Sequence, residues 1–323
     1  MRADVAQLVE QRIRNAPVVR SNRIVGSILQ KQHLPTPGDR RHSELSRANR
    51  SRIAKAVIPA AGHGTRLRPL TRITPKEMLP LGRKPTVEYI VEELHAAGVN
   101  DIIFVISALK SEIEEYFGDS ACGGEVRVRY VTQHTQLGLA HAILQAEELV
   151  AGEHFAVALG DSVIVSKHEK APLRRMLAAY AENPAFAAIT VERVPIEECH
   201  KYGIVKPIGA VQGDSFEIAG LIEKPRPDEA LSDFAIGGRY VFDPAIFEVI
   251  RRTPPGIGGE LQITDSIALG MAEGKRVWCA PLAADERRYD IGNFRTFCEA
   301  FVAMCMLDPE LAPSVRKAVE DCK

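Results

Sequence analysis

Two glycines and two cations form the most informative group in this 323-residue chain: Gly62-His63-Gly64-Thr65-Arg66, and downstream Lys76 within Pro75-Lys76-Glu77-Met78-Leu79-Pro80. Glycines let backbone N–H groups approach an anion closely, and long cations then offset its charge. That combination suits a nucleoside triphosphate. The loop is not a dinucleotide fingerprint, because Leu67 stands where the third glycine belongs, and it lacks the Lys-Ser or Lys-Thr of a Walker loop. A lone Gly-x-Gly turn is equally compatible with a purely structural tight turn. Arg66 and Lys76 tip the reading towards phosphate.

Three further groups have the right chemistry. Asp161 follows the apolar run Phe155-Ala156-Val157-Ala158-Leu159 in Gly160-Asp161-Ser162, a place where a carboxylate serves as a Mg²⁺ ligand or simply caps a turn. Asp290, in Tyr289-Asp290-Ile291-Gly292-Asn293, reads as a second candidate or as an ordinary helix cap. Glu223-Lys224-Pro225 pairs a carboxylate for sugar hydroxyls with an ammonium for a phosphate. Neighbours on a strand face opposite ways, so this pair can share a ligand only where the strand ends, and Pro225 makes such an ending plausible. Ser162 lacks the flanking glycines of a nucleophile elbow.

These residues need a frame, and the chain supplies one in alternation. Ala56-Val57-Ile58 and Ile102-Ile103-Phe104-Val105-Ile106 read as buried strands. Val87, Ile90, Val91 and Leu94 mark a helix that Gly98 ends. A helix over 110–117, a strand over 126–132, a helix over 138–149 and a strand over 155–159 follow. The order predicts an α/β fold, a Rossmann-like, mostly parallel twisted sheet with helices on both faces and ligands at the carboxyl ends of its strands. Shorter strands at 186–191, 202–207, 216–223 and 235–242, with helices near 244–251, 262–273 and 293–306, complete the sheet and add a sugar-facing lobe.

Composition narrows the class. With 46% hydrophobic and 26% charged residues the chain is an ordinary globular one, and no apolar run is long enough to span a bilayer. Six cysteines lie scattered without Cys-x-x-Cys spacing, which predicts free thiols and a cytoplasmic setting. The nine histidines show no zinc spacing. Charge is divided: residues 1–52 carry a net +7 and residues 53–323 a net −8. Residues 1–52 are therefore expected to be a basic, disordered extension, and 53–323 the folded domain that holds the candidate site. The extension reads as a transit sequence, a basic arm, or a segment without selected structure; Ala6–Asn15 resembles a transfer-RNA gene misread as protein, which would put the true start later. The acidic remainder argues against a nucleic-acid binder.

The motifs, taken in order, resemble the bacterial UTP–glucose-1-phosphate uridylyltransferases (UDP-glucose pyrophosphorylases), within the sugar-phosphate nucleotidylyltransferases. The resemblance runs from Ile58-Pro59-Ala60-Ala61-Gly62-His63-Gly64-Thr65-Arg66 and the Lys76 segment through Gln133, Gly138-Leu139-Ala140-His141-Ala142, Gly160-Asp161, Tyr202-Gly203, Glu223-Lys224-Pro225, Gly238-Arg239-Tyr240, Gly259–Asp265 and Asp290–Asn293, so it covers residues 53 to about 306. It implies a nucleotidyltransferase (glycosyltransferase-A-like) architecture. It further implies that Ala60, Ala61, Gly62, Gly64 and Thr65, with Gln133 and Gly138, hold the nucleotide, and that Arg66 and Lys76 meet its triphosphate. Asp161 and Asp290 would bind Mg²⁺; Gly203, Glu223 and Gly238 would line the sugar pocket, with Lys224 on the sugar phosphate. UTP and glucose 1-phosphate are the implied substrates, and a homodimer or homotetramer the implied assembly.

One departure stands out: only residues 118–125, through Cys122-Gly123-Gly124, bridge the helix near 110–117 and the strand leading to Gln133. Uridylyltransferases of this kind usually carry an additional helical stretch there, and the short connection is more like the thymidylyltransferase branch. A glucose-1-phosphate thymidylyltransferase using dTTP is thus the nearest alternative, and a non-catalytic sugar-nucleotide-binding protein one of another class.

Overall fold

The computed structural model describes residues 53–322 apart from 109–110, 169–170 and 212. The expected basic extension over 1–52 lies outside the described residues.

Among the described residues the strands are β1 (Lys55–Pro59), β2 (Pro80–Leu81), β3 (Lys84–Pro85), β4 (Asp101–Ile106), β5 (Ser120–Ala121), β6 (Val126–Thr132), β7 (Phe155–Ala158), β8 (Ser162–Val165), β9 (Ala187–Arg193), β10 (Gly203–Pro207), β11 (Phe216–Glu223), β12 (Phe234–Phe242), β13 (Val277–Pro281) and β14 (Arg287–Asp290). The α-helices are α1 (Thr86–Ala96), α2 (Glu112–Phe117), α3 (Leu139–Gln145), α4 (Glu147–Val150), α5 (Pro172–Glu182), α6 (Ile246–Arg252), α7 (Ile263–Ala272), α8 (Phe294–Leu307) and α9 (Ala312–Asp321).

Ten strands make one sheet in the order β10-β11-β13-β9-β12-β7-β1-β4-β6-β5. Its parallel part is β7-β1-β4-β6, of which β1, β4 and β7 are apolar runs covered on both faces: Val57, Ile103, Val105 and Val157 pack into one hydrophobic cluster, and Ala56, Ile58, Ile102 and Phe104 into the other. The sheet as a whole is mixed rather than mostly parallel. β12 runs antiparallel between β7 and β9, and β10–β11, β11–β13 and β5–β6 are also antiparallel. One connection explains part of this. Residues 208–215 are too short to carry a helical crossover, so they join the antiparallel partners β10 and β11, and β12 then returns antiparallel between β9 and β7.

The expected helix over 138–149 breaks at Ala146 into α3 and α4. β8, α5, β13, β14 and α9 had no counterpart in the sequence reading. In place of an extra helical stretch before β6, a 3-10 turn over Cys122–Gly124 places Cys122, Gly123 and Gly124 at positive φ.

This topology aims three loops at one edge. The carboxyl ends of the parallel strands β1, β6 and β7 deliver residues 60–64, Gln133 and Asp161. Antiparallel β12 enters the same edge with Gly238, whose carbonyl accepts the Leu159 N–H at 3.0 Å. β8 and β14 form a separate ribbon in which Asp290 pairs with Ser162, so the two predicted metal carboxylates come from adjacent strand ends.

Candidate active site

Two adjoining clefts of about 690 and 650 Å³ share Arg66, Leu139, Leu159 and Gly292 as common wall. The smaller is lined by Ala61, Gly62, Gly64, Thr65, Lys76, Gln133, Gly138 and Asp161; the larger by Gly203, Glu223, Lys224, Gly238 and Asp290. The division matches the expected nucleotide and sugar groups, with Arg66 on the boundary. Ala60 lines neither cleft: it is buried and its N–H donates to the Val105 carbonyl at 2.8 Å.

On the nucleotide side, β1 hands the chain to a turn in which Gly64 takes a left-handed conformation (φ 60°, ψ 28°) and Thr71 Oγ1 donates to its carbonyl at 2.7 Å. Lys76 extends over Gly62, where a Cβ would lie 3.8 Å from Lys76 Cε. Its ammonium pairs with Asp161 Oδ2 and lies 4.0 Å from Glu77. Burial alone would push the Lys76 ammonium down, but the carboxylates of Asp161, Glu77 and Asp290 hold it above its ordinary value. It therefore stays a fixed positive charge. Gln133 is buried with Nε2 2.8 Å from His141 Nδ1 and 3.4 Å from the Gly138 carbonyl. Gly138 lies at φ 109°, and a Cβ there would come 2.6 Å from the Leu261 carbonyl oxygen.

Asp161 and Asp290 feel each other. Burial would raise the Asp161 carboxyl, yet Lys76 holds it below its ordinary value. Asp290 goes the other way: burial and the Asp161 charge push it up, against Arg288 and the Gly292 N–H, which donates to Asp290 Oδ1 at 2.5 Å. Two crowded carboxylates of which one resists ionising form a donor pair that a hard cation would stabilise. Among the described residues no group of three His, Cys, Asp or Glu side chains forms a metal cage. Mg²⁺ needs none, since one or two carboxylates suffice when phosphate oxygens and waters complete its shell.

On the sugar side, β11 ends at Glu223 and Lys224 turns to a positive φ of 45°. This irregular step brings Lys224 Nζ to 3.1 Å from Glu223 Oε1, so both side chains share the cleft as the strand-end argument required. Thr264 Oγ1 donates to Glu223 Oε2 at 2.7 Å. Gly203 pairs with Glu223 across β10–β11, and a Cβ there would meet Ile236 at 2.7 Å and Glu223 at 3.2 Å.

Sequence reasoning missed several contributors. Arg288 lies in the sugar-side wall, donating to Glu192 Oε1 at 2.6 Å through Nε, approaching Asp290 at 3.5 Å and stacking over Tyr202. Nothing in Arg287-Arg288-Tyr289 marks it. Thr264 sat inside the quoted Gly259–Asp265 motif without a role. Glu77, buried beside Lys76, has no role of its own in the lysine motif as a sequence.

A nucleotidyl transferase family model matches residues 55–306. The chain is 35% identical over 289 residues to a UTP–glucose-1-phosphate uridylyltransferase of Staphylococcus epidermidis, spanning 83% of this chain and 98% of that protein. It is 37% identical over 280 residues to one of Bacillus subtilis, spanning 80% and 94%. Among solved structures, a UDP-glucose pyrophosphorylase complexed with UDP-glucose superposes with a TM-score of 0.72 at 35% identity, covering 78% of this chain and 98% of the other. A UTP-bound counterpart from Acinetobacter baumannii gives 0.76 at 31% identity, covering 84% and 100%.

Proposed function

The chain belongs to the nucleotidyl transferase family, and from that premise we propose that it transfers the uridylyl group of UTP to glucose 1-phosphate, releasing pyrophosphate and forming UDP-glucose. The observation that carries this reading is the pair of clefts meeting at Arg66, one with the Gly62–Lys76 phosphate loop and the other with Glu223 and Lys224. Relatives named for this reaction align over most of the chain.

The sugar phosphate is already a nucleophile at neutral pH, so its oxygen attacks the α-phosphorus in line without a covalent enzyme intermediate. Ser162 fits that economy: its Oγ is buried with no hydrogen-bond partner among the described residues, so nothing activates it. Catalysis then rests on positioning and on charge at the phosphates. Lys224 holds the incoming phosphate while Glu223, braced by Thr264, grips sugar hydroxyls. Arg66 and Lys76 offset the charge that builds on the leaving pyrophosphate. Asp161 and Asp290 are the residues that would hold Mg²⁺, which when bound supplies positive charge to the phosphate oxygens. Lys76, pressed against Asp161, keeps that carboxylate ionised and ready.

Gln133 and Gly138, with the backbone at Ala61 and Gly62, hold the base and ribose; Gly64 and Thr65 shape the same loop. Gly203 and Gly238 keep the sugar pocket open. We assign the assembly to a homodimer or homotetramer; Phe294, Phe301 and Val302, exposed along one side of α8, are apolar surface such an assembly can cover. The six free cysteines support a cytoplasmic setting. No helix of the described residues is long and apolar enough to cross a membrane.

The test is chromatography of the full chain incubated with UTP, glucose 1-phosphate and Mg²⁺. UDP-glucose and pyrophosphate are expected in equal amounts. Binding of both substrates without product would favour the non-catalytic sugar-nucleotide-binding alternative.

A further inference from the structure

Next to Gly238 on β12 stands a cation that lines neither cleft. Arg239 is completely buried. Its Nε and Nη2 donate to Glu93 Oε2 of α1 at 3.1 and 2.6 Å; Nη2 also donates to the Ser162 carbonyl at 2.8 Å, and Nη1 to the Gly238 carbonyl at 3.2 Å. One planar fork thus ties together three elements. Ser162 follows Asp161 directly and pairs with Asp290, so its peptide anchors the metal-side ribbon. Gly238, at φ 78° in the irregular stretch between Ile236 and Tyr240, lines the sugar-side cleft.

Stability alone is a poor account of this pair. A buried ion pair loses much hydration, and replacing one by apolar side chains of similar volume is often neutral or stabilising. This pair is also incompletely satisfied: Glu93 Oε1 is sealed without a hydrogen-bond partner among the described residues. What the fork does supply is geometry, since a guanidinium presents several donors in fixed directions and an ammonium does not.

We propose that Arg239, with Glu93 as its counter-ion, is a positioning residue that locks the Asp161 ribbon against the Gly238 turn, so that the phosphate held in the sugar cleft lies in line with the nucleotide. The inference rests on the proposed uridylyl transfer. Misplacement of reacting groups by about 1 Å typically costs a hundredfold in rate, so loss of the lock should appear in kcat rather than in nucleotide binding.

The experiment compares the full chain, the Arg239→Met/Glu93→Leu double variant and Arg239→Lys, measuring thermal melting, UTP binding by calorimetry and UDP-glucose formation. The double variant is expected to melt no lower than the parent and to bind UTP within about threefold, yet to lose about a hundredfold in kcat. Arg239→Lys, which keeps the charge and loses the fork, is expected to bind UTP equally well and lose at least tenfold in kcat. Folded variants with parental kcat would overturn the proposal, as would UTP affinity falling in step with kcat. Unfolding of both variants would make the pair a structural strut and overturn it too. An inactive parent chain would instead overturn the proposed reaction, and this inference with it.

Discussion

Gly138→Ala is the substitution whose cost the geometry defines most sharply. Gly138 lies at φ 109° and ψ 177°, a region that essentially only glycine occupies, and forcing alanine into it costs about 1–3 kcal/mol. The new Cβ would also lie 2.6 Å from the oxygen and 2.8 Å from the nitrogen of Leu261. Neither atom can retreat freely: the Leu261 N–H donates to Leu137 at 2.7 Å, and its carbonyl accepts from Ala140 at 2.9 Å. Overpacking of this kind adds about 1–3 kcal/mol. The expected total is about 2–6 kcal/mol, which at ~2–4 °C per kcal/mol for a domain of this size lowers the melting temperature by about 4–24 °C. Gly220→Ala is the control, because Gly220 has no atom within 4 Å of its added Cβ and no positive φ. Melting followed by circular dichroism, with UTP binding by calorimetry, reads both consequences. If Gly138→Ala melted within 2 °C of the parent and bound UTP normally, the tight apposition of residues 137–140 to Leu261 would be refuted.

Charge substitutions at the clefts give rate effects. Asp161→Ala and Lys224→Ala are each expected to lower kcat about a hundred- to a thousandfold, the usual effect of removing one transition-state charge contact; turnover near the parental rate at saturating Mg²⁺ would refute these assignments. At the far end of the β8–β14 ribbon, Arg175 donates twice to Glu286 at 2.7 Å, joined by Ser166 and the Ala283 N–H. Burial would raise the Glu286 carboxyl, yet these donors hold it below its ordinary value of 4.5. Its stabilisation is therefore complete above the unfolded pKa and is lost as pH falls through the depressed folded one. Glu286→Gln should cost about 1–3 kcal/mol near neutrality, with a melting gap that narrows below about pH 4.5; a gap that stayed constant from pH 7 to 3 would contradict the assignment.

Local signals explain why so much of the fold was legible. Val57, Ile103 and Val157 sit in uninterrupted apolar runs, and a strand buried on both faces has no other reading once glycine and charge bound it. The Glu223-Lys224-Pro225 prediction depended only on where β11 stops. The parallel bias failed at β12 because its antiparallel partners, β7 and β9, come from farther back in the chain and leave no mark on its own residues. α5 does carry a local signal, since Leu173, Met176, Leu177 and Tyr180 recur at i, i+3, i+4 and i+7. Arg239 stands inside the quoted Gly238-Arg239-Tyr240 motif without a role, because the Glu93 that neutralises it lies 146 residues earlier. Arg288 likewise acquires its place from Glu192 and Tyr202, neither adjacent in sequence. The motif residues stand out locally, whereas the partners that hold them in register, such as Glu93 and Glu192, are recruited from across the chain.

The short 118–125 connection leaves base choice as the sharpest question for the proposed reaction, because UTP and dTTP differ by one methyl and one ribose hydroxyl. A methyl contact alone is worth about 1–3 kcal/mol, or roughly ten- to two-hundredfold. Initial rates of pyrophosphate release from the full chain with glucose 1-phosphate, Mg²⁺ and UTP, dTTP, CTP, GTP or ATP in turn test the central claim most directly. UTP should give the highest kcat/KM, at least tenfold above dTTP; a dTTP preference, or no release with UTP, would contradict uridylyl transfer to glucose 1-phosphate.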